Sequence, residues 1–283
     1  MCGNILTAIK AIIEKSSLEL TEQPQEGIQN RANQMGETLE NYIKNAFADC
    51  LGQDIRSIQQ ARNRTFSYIG NNTNPPDAML KNGDAIEIKK IKTLATPQLQ
   101  LNSSYPKNKL SSDNPKICNA CRRCEEWDEK DMLYVVGQVN GHELQNIFFI
   151  YGDLYCDSPE IYKNVENVIK NGLESLDQVE LADTNELGRI NKVDHLEISD
   201  LRIRGMWLIK TPFQHFKYLT NEIVNYSFKL VALIPEDKYN KFENVNEFED
   251  FCSENGVSIS NEEIADPQNP ANFISSKLIT YYY

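Results

Sequence analysis

The sequence predicts an α/β fold in which helices flank a central mixed β-sheet. Apolar residues recur at helical spacing from about residue 33 to 50, which is typical of a helix with one buried face. Residues 85–91 instead alternate between apolar and charged side chains, as strands do. Helical and strand patterns follow one another along the chain, and this alternation favours helices packed on a sheet.

The remaining elements follow from the same two periodicities and from turn signals. Helices are predicted at residues 5–13, 33–50, 115–129, 158–174 and 246–255. Strands are predicted at residues 65–69, 85–91, 132–139, 146–151, 201–209 and 229–234. Asn140-Gly141 indicates a hairpin, and the polar stretches 15–30 and 176–200 predict loops or a linker.

Composition excludes several classes of protein. No run of about 18 apolar residues exists, so we expect no membrane-spanning helix. Lys10 interrupts the apolar segment 5–13 and no cleavage site follows, which favours an amphipathic helix over a signal peptide. Seven cysteines, an odd number without secretory features, indicate reduced thiols in a cytoplasmic protein.

The net charge of −12 is unevenly distributed. Residues 81–124 carry nine lysines and arginines against three acids, and residues 201–221 carry four basic residues and no acid. Residues 236–266 carry ten acids and two lysines. Much of the acidity therefore lies near the C-terminus, and two basic stretches remain for a polyanion such as DNA.

Three cysteines invite a metal-site interpretation that the spacing does not support. Cys118, Cys121 and Cys124 give C-x2-C-x2-C, but a closed zinc site needs four ligands and a ferredoxin-type run needs a fourth cysteine where Asp128 stands. Soft thiols buried on one face of a helix are the better interpretation.

A pair of carboxylates and a lysine fall together around a tight turn. Strand alternation places Glu87 and Lys89 on one face of the strand, with Ile86 and Ile88 on the other. The Pro75-Pro76 turn delivers Asp77 to a bend before that strand, and Asn82-Gly83 closes the hairpin. Such a group can bind a hard divalent cation and activate water, although an exposed hairpin with ordinary surface charges has the same pattern.

Glu40 lies at the edge of the apolar face of the predicted helix, three and seven residues before Ile43 and Phe47. A carboxylate at the edge of a core is either a structural charge or a site residue.

Two polar groups of residues could bind nucleic acid. The turn-rich stretch 99–109 offers donors suited to phosphates or base edges, unless it is a plain surface loop: Asn102, Ser103, Ser104, Lys107 and Lys109. Arg202 and Arg204 share a face of the strand predicted at 201–209, where they either reach guanine or form salt bridges.

The pattern of Asp77, nine residues, then Glu87-Ile88-Lys89 resembles the PD-(D/E)xK nuclease signature. Further blocks, in order over about residues 30–235, resemble the NgoPII-type type II restriction endonucleases. They are NRANQ (30–34), FSYIGNN (66–72), NPPDAML (74–80), GDAIEIKK (83–90), LNSS (101–104), PK and KL within 106–110, and DLRIRGMW (200–207).

The resemblance implies a Mg2+-dependent deoxyribonuclease with a PD-(D/E)xK core, cutting both strands of a short palindrome, GGCC. Asp77, Glu87 and the Ile88 carbonyl would hold the metal, Lys89 would orient or activate water, and Glu40 would be the extra acid of the site. A homodimer is implied, since a palindrome presents identical half-sites, and a DNA methyltransferase would protect the host's own sites.

We expect one domain over residues 1–283, with a catalytic core at about 30–155. Recognition and dimer elements are expected within 95–125 and 185–235, before an acidic C-terminal segment at 236–283. Two rival functions remain: a repair or junction-resolving nuclease with the same signature, and a catalytically silent sequence-specific DNA-binding protein. The intact Asp77, Glu87 and Lys89 argue against the second.

Overall fold

A mixed nine-stranded sheet forms the centre of the protein, within the residues that the structure describes. The structure is a computed structural model that describes residues 3–15, 31–71, 73–102, 104–175, 180–182, 184, 186–220 and 226–283, with the backbone alone at 31–37, 102 and 180. The predicted α/β class with helices flanking a mixed sheet is confirmed. The linker predicted at 15–30 lies almost entirely outside the described residues.

The helices vary from single turns to 17 residues. They are α1 (Ile5–Glu14), α2 (Arg31–Phe47), α3 (Ile55–Thr65), α4 (Asn119–Arg122), α5 (Pro159–Glu174), α6 (Pro212–His215), α7 (Glu236–Tyr239) and α8 (Val245–Glu254). Two 3₁₀ turns occupy Gly152–Leu154 and Lys217–Leu219. No helix of the described residues is both long enough and apolar enough to cross a lipid bilayer.

Fourteen strands are present in the described chain. Those of the first half are β1 (Phe66–Asn71), β2 (Asn74–Leu80), β3 (Ala85–Ile91), β4 (Gln98–Asn102), β5 (Lys109–Ser111), β6 (Glu129–Asn140) and β7 (Glu143–Tyr151). Those of the second half are β8 (Glu180–Leu181), β9 (Gly188–Asn191), β10 (Leu201–Ile203), β11 (Met206–Lys210), β12 (Lys229–Pro235), β13 (Ser258–Asp266) and β14 (Asn269–Tyr282).

The main sheet has the order β1-β2-β3-β6-β7-β12-β14-β13, and β5 adds to β6. The β3–β6 and β7–β12 pairs are parallel and the others are antiparallel. Helices α1, α2 and α8 bury their apolar faces on one side of this sheet, against Ile86, Ile88 and their neighbours. Strand residues whose side chains point to the opposite face, such as Ala85, Met132 and Tyr134, form a second core on the other side of the sheet.

Two small sheets lie outside this main sheet. Strands β10, β9 and β8 form one, and β11 pairs antiparallel with β4 in a two-stranded ribbon. The strand predicted over 201–209 is therefore wrong in one respect. Its two halves pair with different partners, so the strand breaks at Arg204-Gly205.

The helix predicted at 115–129 is also wrong, because only α4 is helical there. The Arg122 side chain donates to the carbonyl oxygens of Ser112 (2.7 Å) and Asn114 (2.9 Å), and Ser112 N–H donates to Asp128 O. These bonds fold the segment back on itself as a compact loop. The stretch 176–200, predicted as loop, contains the short strands β8 and β9 among its described residues.

Candidate active site

Strands β2 and β3 pair over only two residue pairs before they separate. Ala78 pairs with Ile86 and Met79 with Ala85. Beyond them β2 presents Pro75 and Pro76, which have no N–H and cannot continue a ladder. The carboxylate of Asp77 accepts a 2.6 Å hydrogen bond from Ile88 N–H instead. The prolines predicted as a turn thus belong to strand β2, and a cleft opens where the two strands part.

One close backbone approach fixes the path of β2. A Cβ atom on Gly70 of β1 would lie 2.0 Å from the carbonyl oxygen of Pro76. Only glycine lets β1 and β2 come this near, so Gly70 helps to determine the position of the backbone just before Asp77.

Glu87 and Lys89 face the cleft, as alternation along β3 predicts. Lys89 Nζ lies 2.7 Å from Glu87 Oε1. Ile86 and Ile88 are buried in the core on the opposite face. Tertiary packing therefore fixes which face of β3 carries the charges.

The carboxyl of Asp77 has a strongly perturbed pKa. Burial and the nearby Glu87 charge raise the pKa of Asp77 to about 8, against a smaller lowering effect of Lys89. Burial alone would lower the pKa of Lys89, but the charges of Glu87 and Asp77 outweigh it and the pKa lies above its usual value. The raised pKa of Asp77 therefore reflects first the burial of its carboxyl and then the neighbouring acids Glu87 and Glu40.

Glu40 reaches the same cleft from helix α2. Its carboxylate is 3.2 Å from Nζ of Lys44, one helical turn later, and the Lys44 side chain is buried. Helix α2 approaches β6 closely, since a Cβ on Gly137 would lie 2.8 Å from Leu39 Cδ2. This contact sets the height of Glu40 over the sheet.

The cleft has a volume of about 710 Å³. It brings together predicted site residues from four separate segments, namely Glu40, Asp77, Glu87, Ile88, Lys89, Ser104, Lys107 and Arg204. Lys109 does not line it, and its Nζ lies 3.6 Å from Glu129 and 3.8 Å from Asp131. Ser103 and the side chain of Asn102 lie outside what the structure describes.

The β4–β11 ribbon joins the two predicted DNA-binding groups. Asn102 at the end of β4 pairs with Met206 at the start of β11. The backbones of Asn102 and Arg204 therefore lie at the same end of the ribbon, although about a hundred positions separate them in sequence.

Glu186 holds both predicted arginines. Its Oε1 atom lies 2.7 Å from Arg202 Nη2 and 2.6 Å from Arg204 Nε. Arg204 lines the cleft together with Glu186, whereas Arg202 does not. Sequence reasoning missed Glu186 because it falls in a stretch without periodicity. It also missed Lys44, which the i,i+4 spacing from Glu40 could have revealed.

The three closely spaced cysteines do not come close enough together in the described structure to hold a metal. Cys118 Sγ lies 3.3 Å from the Tyr68 hydroxyl and Cys121 Sγ lies 3.3 Å from Met79 Sδ. Cys121 is buried, while Cys118 and Cys124 are partly exposed. The prediction that all three thiols are buried is therefore wrong for Cys118 and Cys124. The long helix on which they were placed is wrong.

The donors near Asp77 suit a hard cation even though carboxylates alone do not complete a set. Within the described part of the chain, no three Asp, Glu, His or Cys side chains group closely enough to hold a metal. Asp77 and Glu87 supply two carboxylates. Ile88 donates its N–H toward Asp77, and because the N–H and carbonyl of one strand residue point to the same side, the Ile88 carbonyl could supply a third oxygen.

Comparison with known proteins identifies the family. A model of the NgoPII restriction endonuclease family matches residues 3–265. The type II restriction enzyme NgoPII of Neisseria gonorrhoeae is 42% identical over 254 residues, which cover 89% of this chain and 91% of that enzyme. No solved structure gave a significant match. The chain therefore belongs to the NgoPII restriction endonuclease family.

Proposed function

We propose that the protein is a type II site-specific deoxyribonuclease that hydrolyses both strands of a short palindromic DNA site, GGCC, with Mg2+ and an activated water. The core would be of the PD-(D/E)xK type. The observation that carries the proposal is the single cleft in which Asp77, Glu87 and Lys89 meet Lys107 and Arg204. Carboxylates that suit a cation and basic groups that suit DNA thus face the same space.

The residues present fit Mg2+, a hard cation that prefers oxygen donors. Asp77 and Glu87, with the Ile88 carbonyl, would hold it. The raised pKa of Asp77 supports this assignment, because a carboxylate desolvated beside another acid lacks a counter-cation. When bound, Mg2+ would stabilise charge on the scissile phosphate and lower the pKa of a bound water.

Lys89 and Glu40 would have the remaining roles in catalysis. Lys89, held 2.7 Å from Glu87, would orient or activate the attacking water and contact the phosphate. Glu40 also lines the cleft, with its carboxylate 3.2 Å from Lys44 Nζ, and would be the additional acid of the site.

DNA would be read from the ribbon side of the cleft. Arg204 and Arg202 would exchange Glu186 for base edges, since arginine pairs bidentately with the O6 and N7 atoms of guanine. Asn102, Ser103, Ser104, Lys107 and Lys109 would contact bases or backbone. These residues fall within 95–125 and 185–235, where the recognition and dimer elements of the single domain are proposed.

A palindromic target fits a two-fold homodimer, in which each copy cuts one strand. The proposal includes a cytoplasmic location and a DNA methyltransferase that protects host sites without binding this protein.

The test is digestion of unmethylated phage DNA with Mg2+, with EDTA as the control, followed by sequencing of the fragment ends. Discrete ends within GGCC are expected, and the purified Asp77→Ala protein should produce none. Ends at another palindrome would replace the proposed site while keeping the chemistry. Random ends or strict dependence on branched DNA would contradict a restriction function, and sequence-specific binding without cleavage would contradict a nuclease.

A further inference from the structure

The backbone of Lys107 is held firmly at the wall of the cleft. Its N–H donates to the Tyr134 hydroxyl at 2.8 Å, and that hydroxyl donates to the Lys107 carbonyl at 3.0 Å. Tyr134 is buried in the core. A Cβ on Gly152 would lie 2.6 Å from the same carbonyl, so glycine there lets the segment pass. The side chain of Lys107 therefore starts from a fixed position.

Among the described residues, the ammonium group of Lys107 has only neutral hydrogen-bond partners. Nζ donates to Ser104 Oγ and to the Tyr105 carbonyl at 3.3 Å, and it lies 5.0 Å from the centre of the Tyr105 ring. Tyr105 in turn stacks on Tyr162 of α5 at 5.6 Å. These contacts orient the ammonium group without neutralising it.

Two other lysines show what Lys107 lacks. Lys89 has Glu87 at 2.7 Å, and Lys109 has Glu129 and Asp131 within 4 Å. Among the described residues, no carboxylate lies within ion-pair distance of Lys107. Burial lowers the pKa of Lys107 to about 8, although the more distant charge of Glu87 acts in the opposite direction.

Lys107 is partly buried, and a charge partly removed from water without a counter-charge costs stability, so its partner is expected to arrive from outside. Lys116 also lines the cleft and its charge lowers the pKa of Lys107, but Lys116 Nζ lies 3.7 Å from the carboxylate of Glu166. A lysine is a compact point charge that suits a phosphate better than the patterned edge of a base.

We propose that Lys107 Nζ binds a backbone phosphate of the DNA strand in the cleft, beside the carboxylates of Asp77 and Glu87. The inference rests on the proposed function, because it takes DNA as the ligand. It narrows the role of Lys107 from a base or backbone contact to a single phosphate contact.

The first test measures binding of the proteins to a short synthetic duplex that carries the sequence cut by the wild type, in EDTA and at several KCl concentrations. Lys107→Met is expected to bind about tenfold more weakly. The slope of log K against log salt should fall by about 0.9, the value for one lost phosphate contact. Wild-type affinity with an unchanged slope would overturn the proposal.

The second test locates the phosphate. Each phosphate of the duplex is replaced in turn by an uncharged methylphosphonate. One position should weaken wild-type binding about as much as Lys107→Met does, and it should have no further effect on Lys107→Met. If every position weakens both proteins equally, Lys107 contacts no phosphate.

Two variants serve as comparisons. Lys107→Arg keeps the charge and should keep the salt slope. Lys241→Met removes an exposed lysine paired with Asp237 and should bind like the wild type. A loss of affinity and of salt slope in Lys241→Met as large as that in Lys107→Met would overturn the proposal.

Stability separates this role from a structural one. Removing an uncompensated charge should leave Lys107→Met at least as thermally stable as the wild type. Lys107→Gln, which keeps donors for Ser104 and Tyr105, is a second uncharged variant. A marked fall in Tm for both would indicate a structural lysine. Wild-type protein that neither cuts nor prefers any sequence would refute the proposed function itself.

Discussion

Asp77 and Ile88 are joined by a 2.6 Å hydrogen bond in which the backbone N–H of Ile88 donates to the Asp77 carboxylate. The side chain supplies the acceptor where the β2–β3 ladder has ended. The Asp77 carboxylate thus has two roles that can be tested separately. It accepts the hydrogen bond from a strand N–H, and it presents a charge to the cleft.

Asp77→Asn separates the hydrogen-bonding role of Asp77 from its charge. Asparagine can accept the bond from Ile88 N–H but carries no charge, so we expect a folded protein that still binds DNA. Cleavage should fall at least about a thousandfold, because the loss of a charged ligand is equivalent to several kcal/mol of barrier. Asp77→Ala also leaves the N–H unpaired and should be less stable by about 1–3 kcal/mol. Plasmid cleavage and urea unfolding measure both effects, and near wild-type cleavage by Asp77→Asn would contradict the assignment.

The pKa of Asp77 predicts how stability depends on pH without metal. The value is about 8 in the folded protein and about 4 in an unfolded chain. Between these values the folded state holds a proton that the unfolded state has lost, so this group makes folding less favourable as pH rises from about 4 to about 8. Wild type should therefore lose stability relative to Asp77→Asn over that range. Urea unfolding in EDTA at several pH values tests this, and a constant difference would show an ordinary carboxyl.

Gly137→Ala tests the contact that positions helix α2. The new methyl group would lie 2.8 Å from Leu39 Cδ2. We expect a loss of about 1–3 kcal/mol from overpacking and slower cleavage, since Glu40 follows Leu39 on the helix. Leu39→Val shortens the opposing side chain, so the double variant should recover part of both. A Gly137→Ala protein with wild-type activity and stability would show that the contact between Gly137 and Leu39 does not position α2.

Arg204 and Arg202 are expected to differ although both contact Glu186. Arg204 lines the cleft and Arg202 does not. Arg204→Ala should reduce discrimination between the cognate site and single-base variants by about 1–3 kcal/mol, and Arg202→Ala should reduce it less. Competition binding with labelled duplexes measures the discrimination. A larger loss in Arg202→Ala than in Arg204→Ala would contradict the prediction.

The sequence predicts which side chains of β3 share a face, and the structure confirms this arrangement for a physical reason. Alternation with period two decides which side chains share a face, and Ile86 and Ile88 can only face a core. Helices α1, α2, α5 and α8 were likewise visible because each carries one apolar stripe or a proline start.

Contacts between distant segments were not predictable from patterns. Nothing in residues 98–102 and 206–210 reveals that they pair, and Glu186 gave no signal of its place between two arginines. Strands β13 and β14 were missed because charged and polar residues interrupt their alternation. Tertiary pairing overrides local propensity in such strands.

The C-terminal strands also have a consequence for self-association. Strand β12 is almost wholly buried between β7 and β14. Just before it, the N–H groups of Ser227 and Phe228 donate hydrogen bonds to the Tyr283 carbonyl. A chain shortened before β13 would expose an apolar strand with unpaired backbone groups, a template for aggregation. At this end of the described sheet the edge strand is β13, which carries Glu262, Glu263 and Asp266, and β1 is the edge strand at the other end. The acidic C-terminal segment thus places like charges along the β13 edge of the sheet, where they repel any strand of another molecule that would extend it.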